Sequence, residues 1–592
     1  MSQFAINLIF VIGSFTLYTG IAIWARARST REFYIAGGNV HPTVNGMATA
    51  ADWLSAASFI SVAGLISVGY VNSSFIMGWT GGYVLLATLL APYLRRFGTY
   101  TVPDFVGKRY VSRSARVVAV VCLIVISLTY VIGQMTGAGV AFARFLEVSS
   151  DVGLIISACV VFAYAVLGGM KGVTYTQVAQ YVVLILAFTT PAIYLSLMMT
   201  GHFLPQSGLF GTHAESGLPL LQKLDEVVRD LGFRDYTADV SNKWNMFLFT
   251  LTLMVGTAGL PHIIIRFFTV PDIRDARRSA GWALVFIALF YTTVPALAGM
   301  SRLNLLETVY PHGTTQPALA YDERPDWFEN WEKTGLLRWD DKNGDGRIQF
   351  YNDANADFAA GTAAERGWAG NELTVNNDIL VLALPEIANM PMWVIGLMAA
   401  GGVAAALSTA SGLLLAISSA VSHDLLKNTL MPNLSDEREM LFARLSMVGA
   451  IVIATWLGLN PPGFAAQTVA LAFGMAAATL FPTITLGIFV KRINSKGAIA
   501  GMLAGAVTTV GYIFMYLGWF FIPGTNNFPN TPEFWVLGIS PLSVGVIGAV
   551  VNFTVAALVS LATETPSQAV QDMVRRVRYP TPAPVATAGA TR

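Results

Sequence analysis

Asp52 stands in Asn45-Gly-Met-Ala-Thr-Ala-Ala-Asp52-Trp-Leu-Ser55-Ala-Ala-Ser58, a stretch of small residues and hydroxyls around one carboxylate. Apolar sequence flanks it, and a carboxylate at membrane depth is costly unless something uses it. A helix of this composition can unwind and free carbonyl oxygens to line a cavity. The same small residues also suit a tight helix-packing face. A second set, Ala405, Ser408 and Thr409, falls at i, i+3 and i+4 and so shares one helix face. Hydroxyl and carbonyl oxygens suit a hard cation better than imidazole or thiolate does, although a membrane hydroxyl also bonds its own i−4 carbonyl. A third set, Gly256-Thr257-Ala-Gly259-Leu-Pro261-His262, interrupts the hydrogen-bond ladder midway along an apolar run. His262 reads equally as a buried histidine satisfied by a hydroxyl. Arg266, one turn further on, reads as an anchor at the membrane face.

A fourth pattern lies in a polar stretch. Asp341, Asn343, Asp345 and Gln349 take positions 1, 3, 5 and 9 of an EF-hand-like loop, with Gly346 at 6, Arg347 offering its carbonyl at 7 and Ile348 at 8. Position 12, normally a bidentate Glu, is Asn352, with Asp353 one residue later. The chemistry implied is Ca²⁺ binding through Asp341, Asn343, Asp345, Arg347, Gln349 and Asp353, or else an ion-free Asp/Asn/Gly turn.

The elements that must hold these residues are membrane helices. Of 592 residues 54% are apolar and only 12% charged, half the roughly 25% charged share of soluble domains, and mean hydropathy is +0.57. Thirteen apolar runs of spanning length fall near 4–24, 45–70, 74–94, 117–142, 152–170, 176–199, 245–265, 280–299, 390–422, 445–460, 466–490, 498–521 and 537–562. Counting alternate connections, one side holds two thirds of the 36 Lys and Arg residues, Arg266 among them. The positive-inside rule makes that side cytoplasmic, with the amino terminus outside and the carboxyl tail inside. A net charge of +1 without a basic tract argues against a nucleic-acid partner. Cys122 and Cys159 both lie in apolar runs and offer neither a disulfide framework nor a thiolate metal site. No nucleophile–base set or nucleotide loop suggests an enzyme. Asp52 and Gly256–Pro261 thus mark two interrupted spans, five apart, the sequence pattern of an inverted-repeat transporter.

At these residues the chain resembles the sodium:solute symporter family, most closely its cation/acetate and short monocarboxylate permeases. The matching stretches are Tyr130-Val-Ile-Gly-Gln134-Met-Thr-Gly-Ala-Gly139, Gly256 through His262 to Arg266-Phe-Phe-Thr-Val, Ser419-Ala-Val-Ser-His423-Asp424-Leu, and Thr101-Val-Pro103-Asp-Phe through Lys108-Arg109-Tyr110. The resemblance implies an all-α polytopic protein of about thirteen transmembrane helices with a leucine-transporter-type inverted repeat. Its parts would be 1–44, a first helix and loop; 45–199, the first repeat; 200–243, a periplasmic loop; and 244–490, the second repeat with a periplasmic insert at 300–389. The last two helices at 491–562 and a cytoplasmic tail at 563–592 complete it. It implies Na⁺ held by the carbonyls of Ala50, Trp53 and Ala405 and the hydroxyls of Ser408 and Thr409, with Asp52 organising the broken helix. Close acetate permeases lack the Ser-Thr pair; keeping it favours sodium over proton coupling and loosens the inference to acetate. For a small organic anion, half-helix amino termini supply N–H donors at mid-membrane, which points to Gly256, Thr257, Gly259 and His262, with Gln134 as a further donor or an interhelical bond. The expected activity is sodium-coupled import of acetate or a related monocarboxylate across a bacterial inner membrane. Symport of proline or a sugar, or a sodium-independent channel, are the alternatives. A small two-helix companion subunit is expected beside the lipid bilayer and the substrate.

Overall fold

The computed structural model describes residues 1–461, 463 and 465–579; the end of the expected tail, beyond Tyr579, lies outside the described residues. Helices fall on all thirteen expected runs, and among the described residues twelve of them, each bent pair counted as one, are long and apolar enough to span a membrane, not the thirteen expected. They are α1 (Gln3–Trp24), the bent pair α2 (Pro42–Trp53 and Ala57–Val68), α3 (Tyr70–Phe97), α4 (Arg113–Leu146), the shorter α5 (Ser150–Phe162), α6 (Gly168–Leu209) and the bent pair α7 (Lys243–Thr257 and Pro261–Phe268). Then come α8 (Ile273–Val309), α9 (Met392–Leu430), α10 (Asp436–Gly458), α11 (Ala465–Phe489), α12 (Ser495–Leu517) and α13 (Gly545–Ala562), followed by a surface helix α14 (Gln568–Arg578). α8 continues past the expected end at 299, because Leu303, Leu305, Leu306 and Val309 remain apolar and buried.

Two breaks set the geometry. In α2 the helix stops at Trp53, Leu54 leaves helical conformation at ψ 64°, and the chain restarts through a π-helical turn at Ala57–Ser61, bent by 62°. Such turns mark strained, often functional, segments. In α7, Gly259 N–H and Leu260 N–H close tight turns onto the carbonyls of Gly256 and Thr257. Pro261 then opens the second half at the position where its missing N–H costs nothing, bent by 44°. At the start of α6 the chain turns at Gly169 (φ 58°, ψ −176°), a region only glycine enters cheaply.

Burial sorts the helices. α9 is enclosed on all sides and α11 nearly so, whereas α1, α10, α12 and α13 keep most of their surface outward, as lipid-facing helices do. Small residues allow the close central packing: a Cβ on Gly46 would meet Trp282 at 2.7 Å and the Ser279 carbonyl at 2.9 Å.

The long loops share one end of the bundle. The amphipathic stretch near 220–231 is a helix, Leu220–Asp230, with Leu220, Leu224, Val227 and Val228 buried. The insert holds a two-stranded antiparallel ribbon, β1 (Leu337–Trp339) with β2 (Leu373–Val375). Buried Glu386 pins it down, pairing with Arg144 at the end of α4 and accepting the Trp331 indole N–H at 2.8 Å.

Candidate functional site

Ser408 and Thr409 on α9 face the break in α2. Ser408 Oγ donates to the carbonyls of Ala51 (2.7 Å) and Ala405 (3.0 Å), and Thr409 Oγ1 to that of Asp52 (2.7 Å). The expected partners lie beside these: the Ala50 carbonyl accepts Leu54 N–H and the Trp53 carbonyl accepts Ser55 N–H, both at 2.8 Å. Two hydroxyls of α9 thus meet the carbonyls of Ala51, Asp52 and Ala405 in a buried, all-oxygen cluster, one residue off the expected Ala50 and Trp53, whose carbonyls close turns within α2. That is an oxygen donor set suited to a hard cation.

Behind it sits an ion pair. Arg266 Nε and Nη2 each donate to Asp52 Oδ2 at 3.1 Å, and both side chains are sealed from solvent. Arg266 Nη1 donates to Thr174 Oγ1 at 3.0 Å and Nη2 to Gln177 Oε1, while Gln177 Nε2 donates to the Ser408 carbonyl at 2.8 Å. One network thus ties both broken helices to α6 and α9. Arg266 is not the membrane-face anchor expected from its place in the chain. The second half of α7 turns back into the bundle, where a buried guanidinium needs a carboxylate. Space for Asp52 comes from Gly412 on α9, since a Cβ there would run into the carboxylate.

The candidate substrate residues divide in two. Gln134 Oε1 accepts Ala56 N–H at 2.9 Å, satisfying a donor where α2 restarts, while its Nε2, Thr257 Oγ1 and both His262 ring nitrogens are buried without hydrogen-bond partners. Gly256 and Gly259 instead press their backbone against α11, at the carbonyls of Phe473 and Ala476, so they permit close helix approach. Sequence reading missed the aromatic residues here. Tyr130 meets His262 edge-on at 5.1 Å between ring centres and Phe473 at 5.6 Å, and Trp79 lies 5.7 Å from Phe473. Tyr291 shares a hydrogen bond with Ser58 at 2.8 Å. No sequence signal separates such rings from ordinary core aromatics. Toward the insert side, Phe75 and Phe249, 4.7 Å apart, line a cavity of about 290 Å³ with Asn72, Asn245 and Gln467. At the opposite end, Tyr34 donates to Glu439 (2.9 Å), which His423 also contacts, and Thr101 donates to Asp424 (2.7 Å). Burial pushes the Tyr34 phenol above its ordinary pKa, keeping it a donor.

The EF-hand-like loop is only partly assembled as expected. Asp341 accepts Gly344 and Gly346 N–H, and Asp345 accepts Arg347 N–H and the Gln349 side chain. The Arg347 carbonyl instead takes the Trp339 indole N–H, Asn343 bonds Asp345 and the Gly367 carbonyl, and Asp353 accepts Asn371 N–H. Glu372, distant in sequence, comes close to the loop: one oxygen each from Asp341, Asp345 and Glu372 lie within 4.8 Å of one another.

Comparison of the sequence with known proteins places the chain in a family. The sequence model of the "Sodium:solute symporter family" covers residues 33–307 and 349–505, passing over the first part of the insert. An uncharacterized symporter of Cupriavidus necator is 32% identical, the alignment covering 97% of this chain and 94% of that one. Among solved structures, a Na⁺-coupled sialic acid symporter in a substrate-bound outward-open state superposes with a TM-score of 0.65 at 16% identity, covering 95% of this chain and 98% of that one. The leucine-transporter-type architecture expected above is the fold observed.

Proposed function

Since the chain belongs to the sodium:solute symporter family, we propose that it imports acetate or a related short monocarboxylate together with Na⁺ by alternating access. The observation that carries this reading is the pair Ser408 and Thr409 closed on the carbonyls of broken α2, beside a buried group of unpartnered donors. A Na⁺ ion would lie between these helices, held by Ser408, Thr409 and carbonyls from the set Ala50, Trp53 and Ala405, with Asp52 contributing charge through space. The hydroxyl protons would turn away, exchanging hydrogen bonds for coordination. Binding there favours the arrangement in which α2 and α9 are drawn together. A substrate that prefers the same arrangement binds more tightly, and the linkage is reciprocal. Thr257 Oγ1, Gln134 Nε2 and His262 would meet the carboxylate, and the small methyl or ethyl end would rest on Tyr130, Trp79 and Phe473. One Na⁺ with one monovalent anion is electroneutral; a second cation would gain roughly 2.3 kcal/mol per 100 mV.

The test is uptake of labelled acetate into proteoliposomes with and without an inward sodium gradient, beside a Ser408→Ala/Thr409→Ala variant. Accumulation that needs the gradient and fails in the variant supports the reading. Equal entry without sodium removes the coupling ion. No acetate entry, with sodium-driven uptake of pyruvate, lactate, propionate or proline, moves the substrate and leaves the ion site.

The same reading places the amino terminus and the insert in the periplasm, and a small two-helix companion subunit beside the bundle. In the insert, Ca²⁺ would be held by Asp341, Asp345 and Glu372, which supply three of the oxygens such an ion takes. Terbium luminescence of the purified protein, quenched by added Ca²⁺ and lost in Asp345→Asn, tests that site.

A further inference from the structure

At the end of the bundle away from the insert, α14 lies over the termini of two spans. Val570, Val574 and Val577 form its buried stripe, while Arg575 and Arg576 lie exposed. Its end is fastened by Arg96 of α3, whose Nη1 donates to the Val577 carbonyl at 2.6 Å, and by Arg578, whose Nη1 donates to the Phe489 carbonyl at 3.0 Å. Between α14 and the bundle is a cavity of about 950 Å³. Five cations line it: Arg96 from α3, Lys108 from the helix Val102–Arg109, Arg113 and Arg116 from α4, and Arg576 from α14.

The charge is one-sided. No carboxylate lines the cavity among the described residues, and Asp104 beside it is already shared by Lys108 (2.8 Å) and Arg116 (3.5 Å). Arg113 and Arg576 are exposed and enter no ion pair among the described residues, and Arg116 Nε is a buried donor without a partner. The remaining wall is mostly apolar: Phe97, Met573 and Val577 beside Gly107 and Ser112, with Val111 standing 68% exposed at the rim. Because α3 ends at Phe97 and α4 begins at Arg113, the opening sits where spanning helices leave the hydrocarbon. That is the level of lipid phosphates.

We propose that this cavity binds the headgroup of an anionic phospholipid, with α14 as the clasp that completes it. Guanidinium groups offer paired N–H donors to phosphate oxygens. Basic pockets between membrane helices on the cytoplasmic side are suited to anionic headgroups, and the apolar rim accepts the start of the acyl chains. A soluble anion would use the arginines and leave the exposed Val111 at the rim uncovered. The proposal needs only that the chain spans a membrane, so it stands or falls separately from the identity of the transported solute.

The test uses the full-length protein in detergent, incubated with phosphatidylglycerol or phosphatidylcholine and examined by native mass spectrometry and thermal unfolding. Phosphatidylglycerol is expected to remain bound and to raise the melting temperature, with phosphatidylcholine doing neither. Arg113→Ala/Arg576→Ala, two exposed positions outside the ion-pair network, should weaken retention about 25-fold, from about fivefold for each basic residue. Arg113→Lys/Arg576→Lys keeps the charge but not the paired donors and should bind between the parent and the alanine variant, which separates loss of the site from loss of the fold. Equal retention of the two lipids, or unchanged phosphatidylglycerol binding in the alanine variant, overturns the proposal. Equal thermal protection by inorganic phosphate overturns the lipid assignment and leaves a bare anion site.

Discussion

Replacing Arg266 by Met leaves Asp52 as a carboxylate with no counter-charge. The two Arg–Asp contacts are 3.1 Å and neither side chain reaches solvent. Breaking a buried pair from one side costs about 3–5 kcal/mol, because the remaining charge is uncompensated. Thr174 and Gln177 lose a donor as well, adding about 1 kcal/mol between them. Arg266→Met is therefore expected to cost about 4–6 kcal/mol, and Asp52→Asn about 3 kcal/mol. The double variant carries neither charge, so its loss should fall short of the sum by at least about 2 kcal/mol, as for residues in one network. Denaturant unfolding of the purified protein in micelles measures all four corners of this cycle, and sodium-driven uptake in proteoliposomes reads the functional side. Both single variants should lose uptake. If each single change costs under about 1 kcal/mol and the two simply add, the pair behaves like an exposed one. The claim that it is a sealed link between the broken helices would then be refuted.

Gly412→Ala drives a Cβ into the Asp52 carboxylate; it should lower stability by about 1–3 kcal/mol and raise the half-saturating sodium concentration in uptake assays, whereas Gly281→Ala, where a Cβ meets nothing in a helix, should leave the sodium dependence unchanged and raise stability by up to about 1 kcal/mol. Trp331→Phe removes the indole donor to Glu386 and is expected to cost about 1–2 kcal/mol, visible as faster limited proteolysis of the insert before any loss of the bundle. Glu32 accepts Lys171 Nζ at 2.7 Å and Arg28 N–H at 2.8 Å, and these bonds hold its carboxyl below the ordinary value. A depressed folded value gives stability that is present above the unfolded pKa, near 4.5, and is lost as pH falls through the folded value. Partial exposure keeps the effect small, and Glu32→Gln should flatten the melting temperature against pH below about 4.5.

Much of this molecule is written locally. Apolar runs long enough to span a membrane, and the Gly and Pro that interrupt α7, are properties of neighbouring residues, so all thirteen helices and both breaks could be read before any packing was known. Ser408 and Thr409 were legible for the same reason: they sit a turn beyond Ala405 on one helix face, and backbone geometry alone puts them there. Contacts between distant parts of the chain were not legible. Arg266 was counted as an anchor because its linear position borders a span, and only the bend of α7 carries it to Asp52, 214 residues away. Glu372 reaches the loop at Asp341 through the β1–β2 pairing, and the ring cluster that Tyr130 joins to His262 comes from four helices. Local sequence carries hydrophobic length, breaks and helix faces. Which charge neutralises which depends on tertiary packing, because a buried ion must find its partner wherever the fold has put one.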